Sequence, residues 1–280
     1  VATLKPDWKF SFSQLEKYSD CSEKYYWTTL AEERPPRYPA AWLVHGNAFH
    51  DATARWHEQG ESRDLHDLYL ESWDVEMEKQ LEKAPDLSTW LLTPRVKSVE
   101  QDLKLRKATG EVQCNAYYQD YDKGLWEIVE VEEDLLVEIG FEVTLDMGGL
   151  VASNTIRGYV DQVRLYKATG DLVVTDLKTG AAKEGDKRQL GLYAMAVNKM
   201  YGTNIQWGQY WYSKLDSVPR SGDKLGRSSG MVDVTHFDED YWKNQFKGLR
   251  LGIENNIFLP NPSDKCRTCD ALALCSAKPY

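Results

Sequence analysis

Apolar residues recur at helical spacing through the first third of the chain, then switch to alternation near residue 125. Residues 11–30 (SFSQLEKYSDCSEKYYWTTL) carry a helical pattern with Ser11 or Ser13 as N-cap. Pro35, Pro36 and Pro39 interrupt it, and residues 41–60 resume a helix that stops at Gly60. Two or three more helices are expected between Asp64 and Tyr121, with Pro85 and Pro94 as boundaries. Residues 125–146 alternate Val, Ile and Leu with Glu, a strand signal that returns over residues 155–166. Thr169, Gly170 and Asp171 make a turn into the apolar strand 172–180, so this region reads as a β-meander. Residues 187–202 go back to helical period, with Leu190, Tyr193, Ala194 and Val197 on one face. A strand over 204–215, a flexible polar loop over 217–230, a helix over 236–256 and a cysteine-rich tail complete the chain.

This order predicts an α+β protein, a central mixed sheet flanked by helices with a helical region at the front. The expected divisions are a helical region over 1–122, a core over 123–257 and a tail over 258–280. There is no internal repeat and no low-complexity tract.

The composition, 42% hydrophobic and 28% charged over 280 residues, is that of a globular protein with ample core. No apolar run approaches the roughly 20 residues that span a bilayer. The first residues lack the apolar core of a secretory signal, so a cytoplasmic protein is expected. The formal net charge of −10 works against nucleic-acid binding. The charge is uneven, however. Acid concentrates in residues 58–82 and 127–142, while 157–188 contains Arg157, Arg164, Lys167, Lys178, Lys183, Lys187 and Arg188.

Two acids and a lysine stand out. Asp161 sits mid-strand, Asp176 ends the next strand, and Lys178 follows two positions on. Residues i and i+2 of a strand share a face, so Asp176 and Lys178 point the same way. Pairing of the two strands through the 169–171 turn would bring Asp161 beside Asp176. Phosphodiester hydrolysis with Mg²⁺ or Mn²⁺ uses such hard oxygen ligands and a positive group. A solvated edge pair with an unrelated surface aspartate is the competing reading.

Five cysteines, Cys21, Cys114, Cys266, Cys269 and Cys275, make an odd count that does not suit a disulfide framework. The crowding in CRTCDALALC suggests a metal site. Trp207, Tyr210, Trp211 and Tyr212 lie in one expected strand and could stack bases or fill a core. No phosphate-binding loop of an ATP-driven motor occurs, and GDKLGRSS resembles one only in composition.

At these residues the chain resembles the RecB-like branch of the PD-(D/E)xK nuclease superfamily, including Cas4-like and AddB-like iron–sulfur exonucleases. The matching blocks, in order, are SFSQLEKYSDC, HGNAFH, GYVD, TDLKTG, QLGLY and CRTCDALALC. The resemblance implies a restriction-endonuclease-like core. It implies that His50, Asp161 and Asp176 bind Mg²⁺ or Mn²⁺, with the Leu177 carbonyl joining them. Lys178 would be the catalytic lysine. Gln189 and Tyr193, one helical turn apart, would contact DNA or position catalytic groups. Asp176 stands where many relatives carry Glu. The family's further glutamate fits Glu132 or Glu138, with Glu132 favoured. On its own residues, His50 reads rather as a packed or surface histidine, and only the HGNAFH block reverses that; His45 is taken as incidental.

In relatives with this cysteine spacing, one upstream and three C-terminal thiolates hold a [4Fe–4S] cluster. Cys21, Cys266, Cys269 and Cys275 match that arrangement, with Zn²⁺ as the competitor. Such a cluster would staple the first helix to the tail. Cys114 is left as a buried small residue.

The resemblance implies a metal-dependent exonuclease acting on single-stranded or frayed DNA ends in recombination or repair. A helicase or recombination protein would be its partner, and no membrane is involved. The alternative is an inactive DNA-end-binding adaptor with the same fold and cluster. A two-carboxylate glycosidase and a redox protein are more distant rivals.

Overall fold

A computed structural model describes residues 4–5, 7–121, 124–148, 154–180, 185–213 and 230–278. The expected polar loop over 217–230, apart from Gly230, and Lys183 lie outside the described residues. Among the described residues, no helix is long and apolar enough to cross a membrane.

The chain divides into two compact units. The larger comprises Tyr38–Ile139 and Tyr159–Thr235. Its helices are α3 (Ala41–Glu58), α4 (Leu65–Lys83), α5 (Val99–Tyr121) and α6 (Lys187–Tyr201). Helix α3 buries Ala41, Val44, His45, Ala48, Phe49, Ala52, Thr53, Trp56 and His57, the i, i+3, i+4 spacing of a one-faced helix. Asp64 caps α4 by accepting from the His66 and Asp67 N–H groups. A 3₁₀ turn over Leu87–Thr89 separates α4 from α5, so the 64–121 stretch holds two long helices. Phe49 of α3 stacks on Trp211 with ring planes 8° apart, in a core shared with Leu68, Tyr69 and Tyr117.

Residues 125–146 are not one strand. They give β1 (Trp126–Ile128), a hairpin of β2 (Glu130–Val131) and β3 (Asp134–Leu135), and β4 (Val137–Thr144). The break falls at Glu132 and Glu133, whose φ angles are 60° and 150°. Neither is a favoured turn residue, so alternation alone hides the turn. The main sheet runs β1, β5 (Thr155–Tyr166), β6 (Asp171–Lys178), β7 (Trp207–Tyr212) and β8 (Val232–Asp233), with β4 also paired to β5. Strands β5 and β6 are antiparallel, while α6 carries the chain to β7, parallel to β6. The sheet is therefore mixed, as expected. Gly202 ends α6 in the left-handed region, φ 65°, where glycine avoids the Cβ penalty.

The second unit comprises Val1–Arg37, Gly140–Gly158 and His236–Tyr280. Its first helical stretch is split into α1 (Phe12–Asp20) and α2 (Ser22–Tyr25), followed by a π-turn over Tyr26–Leu30. Cys21 breaks it with an extended backbone, and its Sγ accepts from the Lys24 N–H to cap α2. Ser11 is the N-cap of α1. Helix α7 (Glu239–Glu254) buries Trp242, Phe246, Leu249, Arg250 and Ile253. The tail is built of 3₁₀ turns over Asp264–Thr268 and Leu272–Leu274.

Candidate active site

The site lies wholly in the larger unit and is assembled from α3, β4, β5, β6 and α6. Asp161 stands on β5, one step beyond the paired residues Gln162 and Thr175, which puts it beside Asp176 on β6. Its Oδ2 accepts the Leu177 backbone N–H at 2.6 Å, so the strand pairing itself orients the carboxylate. Its Oδ1 lies 3.5 Å from His50 Nδ1, delivered by α3. Glu138 of β4 places Oε1 3.0 Å from the same nitrogen.

His50, Glu138 and Asp161 offer ligand atoms that all lie within 4.8 Å of one another, the one such His/Cys/Asp/Glu group among the described residues. Glu138 adopts φ 46°, strained for a non-glycine residue and costing roughly 1–3 kcal/mol. Glu132, favoured on sequence, instead sits in the β2–β3 turn. The proximity of His50 to Glu138, 88 residues apart, is a product of the fold that no local pattern signals.

Electrostatics favours positive charge in this cluster. Burial alone would lower the pKa of His50, yet Asp161 and Glu138 outweigh it and hold the pKa well above the usual histidine value. The imidazolium proton thus occupies the place of a cation. One imidazole and two carboxylates suit a divalent ion such as Mn²⁺ or Mg²⁺, for which hard oxygen donors are preferred.

Asp176 is buried, and its pKa is pushed up to about 7, first by burial and then by Asp161, with Lys178 and His50 pulling the other way. Its Oδ2 pairs with Lys178 Nζ at 2.6 Å. Lys178 Nζ also reaches Gln189 Oε1 at 3.4 Å and lies 5.3 Å from the centre of the Tyr210 ring. Gln189 Nε2 donates to the Tyr193 hydroxyl at 2.7 Å. Burial, and then Asp176, raise the Tyr193 pKa, keeping a neutral hydroxyl beside the acids. Lys178, Gln189 and Tyr193 therefore form one chain leading from Asp176.

Two supports escape a sequence reading. His45 is buried, with Nδ1 2.9 Å from the Tyr69 hydroxyl and Nε2 2.8 Å from Gln113 Oε1. Gln113 Nε2 donates to the Thr179 carbonyl at 3.3 Å, tying the backbone just after Lys178 to α5. His45 is thus no part of the metal group and acts as a strut. Tyr210 donates to the Asp186 carbonyl at 2.7 Å, fixing the start of α6. By contrast, Tyr210, Trp211 and Tyr212 are each buried. Trp211 Nε1 donates to Asp120 at 3.2 Å, so its ring belongs to the core and offers no face to bases.

The cysteines lie in the smaller unit. Cys21, Cys266 and Cys269 line a cavity of about 290 Å³ together with Lys17, Lys24 and Lys265. Cys21 Sγ accepts the Lys24 N–H at 3.4 Å, and Cys266 Sγ accepts the Ser263 N–H at 3.3 Å. Cys275 does not line the cavity; its Sγ lies 3.6 Å from Glu23 Oε2, and Glu23 also accepts from the Ser276 N–H at 2.8 Å. Cys114 is buried in the larger unit's core.

Residues 9–276 match the profile of the PD-(D/E)XK nuclease superfamily, so the chain belongs to that superfamily. It is 28% identical over 276 residues to the Gene 69 protein of Mycobacterium phage D29, covering 95% of each. It is 25% identical over 293 residues to the Gene 69 protein of Mycobacterium phage L5, again covering 95% of each. The crystal structure of SSO0001 aligns over 95% of this chain and 94% of that one, at 13% identity and a TM-score of 0.38, a likeness too slight to bear on the fold.

Proposed function

We propose that this member of the PD-(D/E)XK nuclease superfamily is a Mg²⁺- or Mn²⁺-dependent DNA exonuclease acting on single-stranded or frayed ends, in recombination or repair. The observation that carries the reading is the convergence of His50, Glu138 and Asp161 beside the Asp176–Lys178 pair.

His50, Glu138 and Asp161 would hold the divalent cation, with Asp176 and the Leu177 carbonyl next to them. When bound, the ion supplies Lewis acidity, offsetting phosphate charge and making a water easier to deprotonate. Asp161 is held to its task by the Leu177 N–H, which leaves Oδ1 facing His50. Lys178 keeps its ammonium over the buried Asp176 carboxylate, where it orients the attacking water or stabilises charge on the phosphate. Gln189 accepts from Lys178 and donates to Tyr193, restricting the lysine to one direction. A cleavage assay on labelled single strands with Mn²⁺ tests this reading. Wild-type protein should cut, and EDTA or Lys178→Ala should stop it.

We further propose that Cys21, Cys266, Cys269 and Cys275 hold a [4Fe–4S] cluster. Support comes from the three thiols around one cavity and from the N–H groups on two of the sulfurs. The fourth thiol, Cys275, must leave Glu23 to join them. Anaerobically purified protein should contain iron and acid-labile sulfide in equal amounts; zinc in their place would overturn this assignment.

A further inference from the structure

The groove leading to His50 and Glu138 has a volume of about 520 Å³ and includes Asp51, Arg55, Glu58 and Tyr159 in its lining. Its charge is poorly suited to a polyanion. Asp51, Glu58 and Glu138 are acidic, and Arg55 is already paired with Asp51 and Glu71. Among the described residues that line this groove, a nucleic-acid strand meets little free positive charge beyond the metal site itself, in keeping with the net charge of −10. Its grip must come largely from another source.

Tyr159 offers one. It is 66% exposed. A single exposed aromatic residue is ordinary on a protein surface. This one differs in its place. It stands on β5 two residues before Asp161, so both side chains emerge on the same face of the strand, roughly 6.7 Å apart along it. That is about the stride of one nucleotide in an extended single strand. A strand whose phosphate sat at a metal held by Asp161 could therefore lay a neighbouring base over the Tyr159 ring.

We propose that Tyr159 is a nucleobase-stacking platform at the mouth of the metal site, supplying single strands with a contact that does not depend on charge. The proposal rests on the nuclease reading for its ligand, but its test reads binding rather than cleavage. Stacking on an aromatic ring is worth a measurable loss on truncation and tolerates any base. Unlike phosphate contacts, it leaves the dependence of affinity on salt unchanged.

The experiment measures binding of a labelled oligothymidine by fluorescence anisotropy over a series of salt concentrations. Ca²⁺ replaces Mn²⁺, and strand integrity is checked on a gel. Tyr159→Phe should bind like wild type. Tyr159→Ala should bind about tenfold more weakly at every salt concentration, with the same slope against log salt. A strand with one abasic nucleotide stepped along it should show one position where wild type loses about the same factor and Tyr159→Ala loses nothing more. Wild-type affinity in Tyr159→Ala, a changed salt slope, or fully additive abasic losses would overturn the proposal. Absence of Mn²⁺-dependent cleavage in a parallel wild-type assay would instead count against the nuclease reading and leave the stacking result standing.

Discussion

The imidazole of His50 lies 3.0 Å from the carboxylate of Glu138, joining helix α3 to strand β4 across 88 residues of sequence. Asp161 completes the set, and the two carboxylates hold the His50 pKa well above the usual histidine value, so it carries a proton in the metal-free protein. Metal binding must release that proton. Mn²⁺ affinity should therefore fall as pH is lowered through the raised His50 pKa. In the metal-free protein the sign reverses: stability from the protonated histidine is complete below its unfolded pKa near 6.5 and fades as pH rises through the folded value. Glu138→Gln should weaken Mn²⁺ binding by roughly tenfold or more, whereas Glu132→Gln should leave it unchanged. Isothermal titration at several pH values measures both; equal effects of the two substitutions would contradict the assignment of Glu138.

A second histidine sets an acid limit on stability. Tyr117 Oη accepts from Gln162 Nε2 at 2.7 Å and from Arg164 Nη2 at 3.1 Å, so its own proton goes to His57 Nε2, 2.8 Å away. His57 is then neutral and donates from Nδ1 to Glu61 at 3.1 Å. Burial, and then Arg164, depress its pKa to about 3 despite that carboxylate. The unfolded chain binds a proton here near pH 6.5, the folded one only near 3. The contribution is present above pH 6.5 and is lost as pH falls toward 3, at up to about 1.4 kcal/mol per pH unit. Urea unfolding of the metal-free protein should show this acid slope, and His57→Gln should flatten it. An unchanged slope in the variant would show that His57 charges in the folded state.

Glu23 anchors the tail: it is buried and accepts from Ser276 N–H and Oγ–H at 2.8 and 3.0 Å. Cys21→Ala should lower iron content sharply, because it removes a sulfur from the cavity wall. Cys114→Ala should leave iron unchanged and lower stability only, by about 1 kcal/mol for a small buried side chain. Iron analysis and thermal unfolding on the same preparations separate the two effects.

The strut behind the site should matter to catalysis without touching substrate. Gln113→Leu leaves the Thr179 carbonyl and the His45 Nε2 without their partner, a cost of about 1–3 kcal/mol. The substitution should lower kcat more than it raises KM for single strands, since it loosens the backbone that follows Lys178. A change confined to KM would assign Gln113 to binding instead.

Much of this architecture was legible in the chain. The buried spacing of α3, the antiparallel β5–β6 pair and the shared face of Asp176 and Lys178 follow from periodicity. His50 came from the resemblance of HGNAFH, since a histidine on an amphipathic helix is ambiguous by itself. Glu138 is hidden because the turn at Glu132 and Glu133 uses residues that do not mark turns, so Glu132 stands as the favoured candidate on sequence. The aromatic strand was ambiguous for a related reason. Hydropathy does not distinguish a ring that faces the core from one that faces a ligand, and Trp211 proves to be stacked on Phe49. Tyr159 gave no signal at all, because its position beside Asp161 matters only once the groove exists.

The central claim is that Asp176 and Lys178 act with the His50 set on a phosphodiester. The most direct measurement is the single-turnover rate of Mn²⁺-dependent cleavage of a labelled single strand by wild type and Lys178→Ala, with circular dichroism confirming that both are folded. The expected result is cleavage by wild type and a loss of at least about 100-fold in the variant, the size of removing one donor that stabilises a transition state. Equal rates in the two proteins, or cleavage that persists in EDTA, would contradict it.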